Sequence, residues 1–310
     1  EPLEPVTESR IELERVAATL VARDFQEVVT YSFVDAEANK AFSGVDSELI
    51  LSNPISSEMS VMRASLWPGL VAAAAANFAR QRDRVRLFEA SKTFHGTLDE
   101  TREIMRVGAL ISGSVAPEQW GSEARTADFF DIKSDAEALL LLSADHDEVT
   151  FTAVSHPALQ DGQAAEIRRG ETVIGILGKL HPSVAKRYNL KRAAYVFELD
   201  AELAFATSAP SAAPISRFPA IRRDVAVIVD NSIAVDELIA AVRESAAELI
   251  HNVKIFDIYT GPGIEAGRKS VAIGLILQAT SRTLTDVDAD AAMAAAISKL
   301  KNKFAAELRD

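Results

Sequence analysis

The sequence predicts an α+β fold in two parts, a largely antiparallel sheet with flanking helices over residues 1–207 and a ferredoxin-like β-α-β-β-α-β unit over 216–310. Three observations predict it. Strand-like segments before residue 207 outnumber helical ones and are joined by short turns, which favours antiparallel pairing. TSAPSAAP, Thr207 to Pro214, is a run of small residues with two prolines and no apolar periodicity, the signature of an extended linker, placed at 208–215. Beyond it, strand and helix signals follow in β-α-β-β-α-β order.

The elements are justified in turn. Ser9 to Arg23 reads as an amphipathic helix, with Ile11, Leu13, Val16, Leu20 and Val21 near helical spacing. Glu27 to Val34 is rich in β-branched and aromatic residues and reads as a strand. A helix over about Leu66 to Arg80 carries Pro68 in its first turn, where a missing N–H costs nothing. Strands follow at Val85 to Phe94 and Val107 to Ser112, a helix at about Lys133 to Leu142, then a hairpin turning at Gly170-Glu171. After the linker, Asp224 to Asp230 alternates as a strand and Val235 to Ile250 is helical, with Leu238, Val242, Ser245 and Leu249 on one face. Val253 to Tyr259 and Ser270 to Gln278 are strands joined by the turn TGPGIEAGRK. Thr285-x-x-Asp288 is a capping-box pattern opening a helix whose Met293, Ile297, Leu300 and Phe304 recur at 4, 3 and 4 residues; the tail supplies one short strand.

Composition narrows the functions. In 310 residues, 48% hydrophobic and 25% charged, the chain has the make-up of a soluble globular protein. No apolar run reaches the roughly 18 residues of a membrane helix and the N-terminus lacks the pattern of a secretory signal, so a cytoplasmic location without a membrane partner is expected. Zero cysteines exclude disulfides, thiolate metal sites and a cysteine nucleophile. A net charge of −12 argues against coating DNA or other nucleic acid non-specifically. Of the 33 Lys+Arg and 45 Asp+Glu, 12 and 13 lie from Ser216 onward, so the second part is near neutral and the first is strongly acidic. The second part is therefore the one suited to meet RNA.

Enzyme signatures mostly fail. Gly261 to Ala266 fits the loosest dinucleotide pattern, G-x-G-x-x-A, but a strand rather than a helix follows it, so a hairpin turn is the reading. No G-x-S-x-G occurs. His156-Pro157 and His181-Pro182 have no carboxylate cluster beside them, so no metal site is expected and both read as loop or helix-start residues. The arginines of Arg80 to Arg86 read as a helix end running into a strand. The second sheet is more specific. Alternation sends Val225, Val227 and Val229 to one face and Asp224, Ala226 and Ile228 to the other; it puts Phe256 and Ile258 on the helix-packed face with Asp257 and Tyr259 opposite, and turns Ser270, Ala272 and Gly274 outward. Small residues around one tyrosine and one aspartate form either a stacking platform for an unpaired base or an ordinary half-solvated sheet.

YSFVD (Tyr31 to Asp35), NPISSEMSVMRASLWPGL (Asn53 to Leu70), RVRLFEASKTF (Arg84 to Phe94), FFDIKSD (Phe129 to Asp135), SRFPAIRRDVAV (Ser216 to Val227), FDIYTGPGIEAGRKSVA (Phe256 to Ala272) and LQATSRTLTD (Leu277 to Asp286) resemble, in order and over nearly the whole chain, the C-terminal portion of the bacterial phenylalanyl-tRNA synthetase beta subunit. The resemblance implies that residues 1–207 are a class II synthetase-like catalytic domain without its active site, and 216–310 an anticodon-binding domain. No catalytic residue is expected: Phe88 separates Leu87 from Glu89 where a class II enzyme has Arg-x-Glu, and no later ATP-gripping arginine motif exists. Carried over by motif, the contacts to the anticodon base fall on Ala226, Asp257, Tyr259 and Ser270.

The resemblance also implies partners and cofactors. These are a catalytic alpha subunit in an α2β2 assembly and tRNA(Phe), with ATP and magnesium used by the complete synthetase and no cofactor in this chain, which is expected to be a fragment. The helix at Ser9 to Arg23 and the strand at Glu27 to Val34 are candidates for the alpha contact, with an internal core role equally open. Where many relatives have His-Pro-Gly, this chain has Gln160-Asp161-Gly162. The rival reading is a small-molecule, amino-acid-sensing regulatory module built on the same ferredoxin-like fold.

Overall fold

Residues 10–44, 46, 49–121, 123–143, 149–208 and 215–309 are described by the computed structural model, in which the chain divides into two units, Glu1–Pro210 and Ser211–Asp310. Most of the expected linker, residues 209–214, lies outside the described residues, as does Ser9.

The first unit begins with α1 (Leu13–Ala22), β1 (Gln26–Glu27), β2 (Phe33–Val34), α2 (Ala36–Ser43), β3 (Val61–Met62) and α3 (Trp67–Ala79). It continues through β4 (Val85–Gly96), β5 (Thr101–Ser112), α4 (Phe129–Leu140), β6 (Val149–Ala153), β7 (Leu159–Arg169), β8 (Thr172–Leu180), α5 (Pro182–Arg187), β9 (Ala194–Asp200) and α6 (Ala201–Ala204). Seven strands make one sheet in the order β1-β4-β5-β9-β8-β7-β6, antiparallel but for the β1–β4 pair. Both faces of its centre are buried. Phe88, Ala109 and Phe197 pair across three strands in the layer of Val16, Leu20 and Ile132, while Leu87, Leu110 and Val196, one residue along, meet Leu66, Leu70 and Val71 of the α3 layer.

Several boundaries differ from the sequence reading, each for a visible reason. The strand expected over Glu27 to Val34 is broken into β1 and β2, leaving Val29 92% and Tyr31 66% exposed. Between them the Thr30 amide and hydroxyl donate to the Glu89 carboxylate, so side chains replace the ladder. Helix α4 starts four residues before Lys133, because the Asp128 carboxylate accepts from the amides of Phe130 and Asp131 and the Asp131 carboxylate accepts in return from the Asp128 amide. Strand β9, the middle of the sheet, has no counterpart in the sequence reading; AYVFELD is buried on both faces, which erases the alternation that marks a half-exposed strand.

The second unit runs β10 (Ile221–Asp230), α7 (Val235–Ser245), β11 (Ile250–Tyr259), β12 (Arg268–Leu277), α8 (Asp286–Phe304) and β13 (Glu307–Leu308), with antiparallel sheet order β11-β12-β10-β13. Both helices pack on one face, where Val227, Val229, Val271, Ile273 and Leu275 meet Leu238, Val242, Ala289, Ala296 and Leu300. Helix α7 ends five residues short of Ile250: the Gln278 amide donates to the Leu249 carbonyl (2.9 Å), drawing that segment into the sheet. The buried stripe of α8 is Ala289, Ala292, Ala296 and Leu300; Met293 and Phe304 sit at its margin. The capping box is formed, with Thr285 Oγ1 accepting from the Asp288 amide and the Asp288 carboxylate from the Thr285 amide.

Candidate nucleic-acid interface

Cross-strand register fixes which residues share the sheet face away from α7 and α8, because paired residues point the same way. Ala226 pairs with Ala272, which pairs with Asp257; one row along, Ile228 pairs with Ser270 and Ser270 with Tyr259. A third row holds Asp224, Gly274 and Lys254. Ala226, Asp257, Tyr259 and Ser270 therefore lie in two adjacent rows on the open face. Asp257 is exposed, and its carboxylate makes no hydrogen bond or ion pair with any described residue.

The Tyr259 end of this face is more crowded than alternation alone suggests. The Tyr259 hydroxyl donates to the Pro262 carbonyl (3.1 Å), which folds the ring over Gly261. The Arg309 guanidinium lies 4.9 Å from the ring centroid and donates to Ser270 Oγ (3.3 Å), while the Arg309 amide donates to the Ala226 carbonyl (3.0 Å). Ser270 thus has the expected orientation but is only 2% exposed, closed over by the tail that follows β13. Arg309 itself is exposed. Sequence reading missed it, since two residues of strand after a helix gave no sign of which sheet edge they would join.

Phe256 is a second departure. Strict alternation sends it to the helix-packed face, but the register slips between Ile255 and Asp257, so Phe256 is the extra residue of a bulge and β11 puts two residues opposite Ala272. Its ring lies 5.3 Å from the Arg222 guanidinium, on the open side, and it is 53% exposed. Ile258 keeps the core-facing register opposite Val271, yet on this edge strand it stays 51% exposed.

Many charged side chains of the first unit pair with one another among the described residues. Arg86 and Glu89, three residues apart on a strand, face opposite sides: Arg86 reaches Asp135 (2.6 Å) and stacks on Phe25, while Glu89 holds the buried Arg63 (2.9 Å) and Thr30 (2.7 Å). Glu198 accepts from the Leu66 amide (2.7 Å) at the start of α3 and pairs with Arg106 (3.1 Å); burial pushes its carboxyl above the usual range. Arg84 pairs with Asp24. His181 caps α5, its Nδ1 accepting from the Ser183 amide, and His156 packs edge-on to Trp67 at 5.5 Å, where burial pushes its imidazole below its ordinary value. Asp161, in the Gln160-Asp161-Gly162 segment of β7, accepts from Ser155 Oγ (2.8 Å). Among the described residues, no three His, Asp or Glu side chains gather as metal ligands, and no helix is long and apolar enough to cross a membrane.

Comparison with known proteins assigns both units. Residues 3–201 match the family described as the phenylalanyl tRNA synthetase beta chain CLM domain, and residues 216–309 match the ferredoxin-fold anticodon binding domain. The chain is 42% identical over 306 residues to a phenylalanine–tRNA ligase beta subunit of Shewanella oneidensis, covering 98% of this chain and 38% of that protein. It is 41% identical over 311 residues to the beta subunit of Methylococcus capsulatus, covering 99% and 39%, and 43% identical over 287 residues to that of Nitrosococcus oceani, covering 92% and 36%. The chain thus spans under two fifths of the length of these curated relatives.

Proposed function

The chain belongs to the phenylalanyl tRNA synthetase beta chain family, and on that premise we propose that it is the non-catalytic, RNA-recognising part of a phenylalanine–tRNA ligase. In this reading the second unit binds the anticodon region of tRNA(Phe) on its open sheet face, and the first unit supports a catalytic alpha subunit in an α2β2 enzyme working in the cytoplasm. The single observation that carries it is the grouping of Tyr259, Asp257, Ala226 and Ser270 in two neighbouring rows of the sheet face opposite α7 and α8. A phenolic ring stacks an unpaired base, and a carboxylate without a partner among the described residues accepts hydrogen bonds from its edge. Since Arg309 lies on the ring and on Ser270, its long side chain moves aside or onto the base when RNA enters.

ATP and magnesium belong to the complete enzyme. Phosphoryl chemistry needs cations aimed at phosphates, and in the first unit Arg63, Arg86 and Arg106 are each held by a buried carboxylate. The purified chain should therefore give no ATP–pyrophosphate exchange; a measurable rate would contradict the reading. Replacing Tyr259 by Ala should weaken binding of an anticodon stem-loop at fixed salt without altering the thermal transition. The amino-acid-sensing alternative predicts saturable binding of a free amino acid instead, and calorimetric titration separates the two.

A further inference from the structure

The open face carries a second aromatic ring, and the bulge in β11 is what brings it there. Phe256 is half exposed, and Arg222 reaches it from β10, two strands away in the sheet, by crossing over Gly274. A Cβ at Gly274 would stand 3.0 Å from Asp224 Oδ1 and 3.3 Å from Arg222 Nη2, so the bare backbone there gives the guanidinium its path. Asp224 accepts from Arg222 Nε (2.8 Å), which fixes the stem of the side chain while its head lies 5.3 Å from the ring centroid. The open face therefore repeats one motif, an aromatic ring with an arginine over it, at Tyr259 with Arg309 and again at Phe256 with Arg222. Three residues of strand separate the rings, roughly 10 Å. That is too far for one base to cover both, and near enough for two neighbouring nucleotides of an unstacked loop.

We propose that Phe256 and Arg222 form a second nucleobase site, taking the unpaired nucleotide next to the one stacked on Tyr259, with the Phe256 ring holding the base and the Arg222 guanidinium the linking phosphate. The proposal rests on the reading of this face as an RNA surface and extends it from one base to two. A bulge that turns an apolar ring out of a core and under a cation has no evident packing purpose, whereas base stacking on an aromatic ring beside a cation is how single strands are held.

The test uses the full chain and a phenylalanine tRNA anticodon stem-loop, with each unpaired loop nucleotide in turn made abasic. Phe256→Ala should weaken the intact stem-loop about tenfold, yet cost almost nothing against one abasic RNA, the one lacking the base that sits on Phe256. Tyr259→Ala should show the same relation to the adjacent abasic position. Phe256→Leu, which keeps an apolar side chain, should lose nearly as much as Phe256→Ala, and Arg222→Gln should lower the salt dependence by about one ion. If Phe256→Ala binds as wild type, or loses equally on every RNA, while Tyr259→Ala keeps its own position-specific loss, the second site is refuted and the first stands. Loss by neither variant overturns both.

Discussion

A methyl group at Gly261 would stand 2.3 Å from the Tyr259 hydroxyl oxygen and 2.4 to 2.8 Å from the end of its ring. Since the obstructed group is the far end of a side chain, Gly261→Ala should swing the ring off its seat and leave the turn intact. Stem-loop affinity should then fall toward that of Tyr259→Ala with an unchanged thermal midpoint; wild-type affinity would show that the seat does not matter. His156 gives a pH signature in the first unit. Burial holds its imidazole below its ordinary value, so folding favours the neutral form. Stability is fully present above the unfolded value of about 6.5 and is lost as pH falls below it, because the unfolded chain gains the proton first. His156→Gln should flatten the fall in thermal midpoint between pH 7.5 and 5, and only in part, since burial also lowers the His95 imidazole. At this scale much was legible: period-two alternation placed Ala226, Asp257, Tyr259 and Ser270 on the open face. It failed at Phe256, because a single inserted residue flips the parity, and it could not foresee Arg309 closing over Ser270.

Among elements, polar side chains set the boundaries that periodicity blurs. Thr285→Ala removes the hydroxyl that accepts from the Asp288 amide at the start of α8 and should destabilise the second unit by about 1 kcal/mol, read from denaturant midpoints. A far larger effect is expected at the join of β3 and β4. Glu89→Ala would leave Arg63, 1% exposed, without its counter-charge and should cost about 3–5 kcal/mol; a loss under 1 kcal/mol would mean that the guanidinium finds water instead. The cap at Thr285 could be read from sequence because its partner lies three residues away. The Arg63–Glu89 and Glu198–Leu66 contacts join residues 26 and 132 positions apart, and local pattern carries no trace of them. Strand β9 was hidden for a different reason, as burial on both faces removed its alternation.

For the whole molecule, the uneven charge matches the division of labour proposed. The acidic first unit repels phosphate, whereas the near-neutral second unit presents Arg222, Lys254 and Arg309 on the same face as its two aromatic rings, the exposed Phe256 and the partly buried Tyr259. Limited proteolysis should cut first within residues 208–215, and the 216–310 product should keep a cooperative thermal transition; early cuts inside β10 or α7 would count against two independent units. The most direct measurement of the central claim is the affinity of the full chain for a phenylalanine tRNA anticodon stem-loop at one fixed salt concentration, with and without Tyr259→Ala. Loss of one base–ring stack is worth about 1–3 kcal/mol, so Kd should rise about 5- to 150-fold. An unchanged Kd would contradict the account.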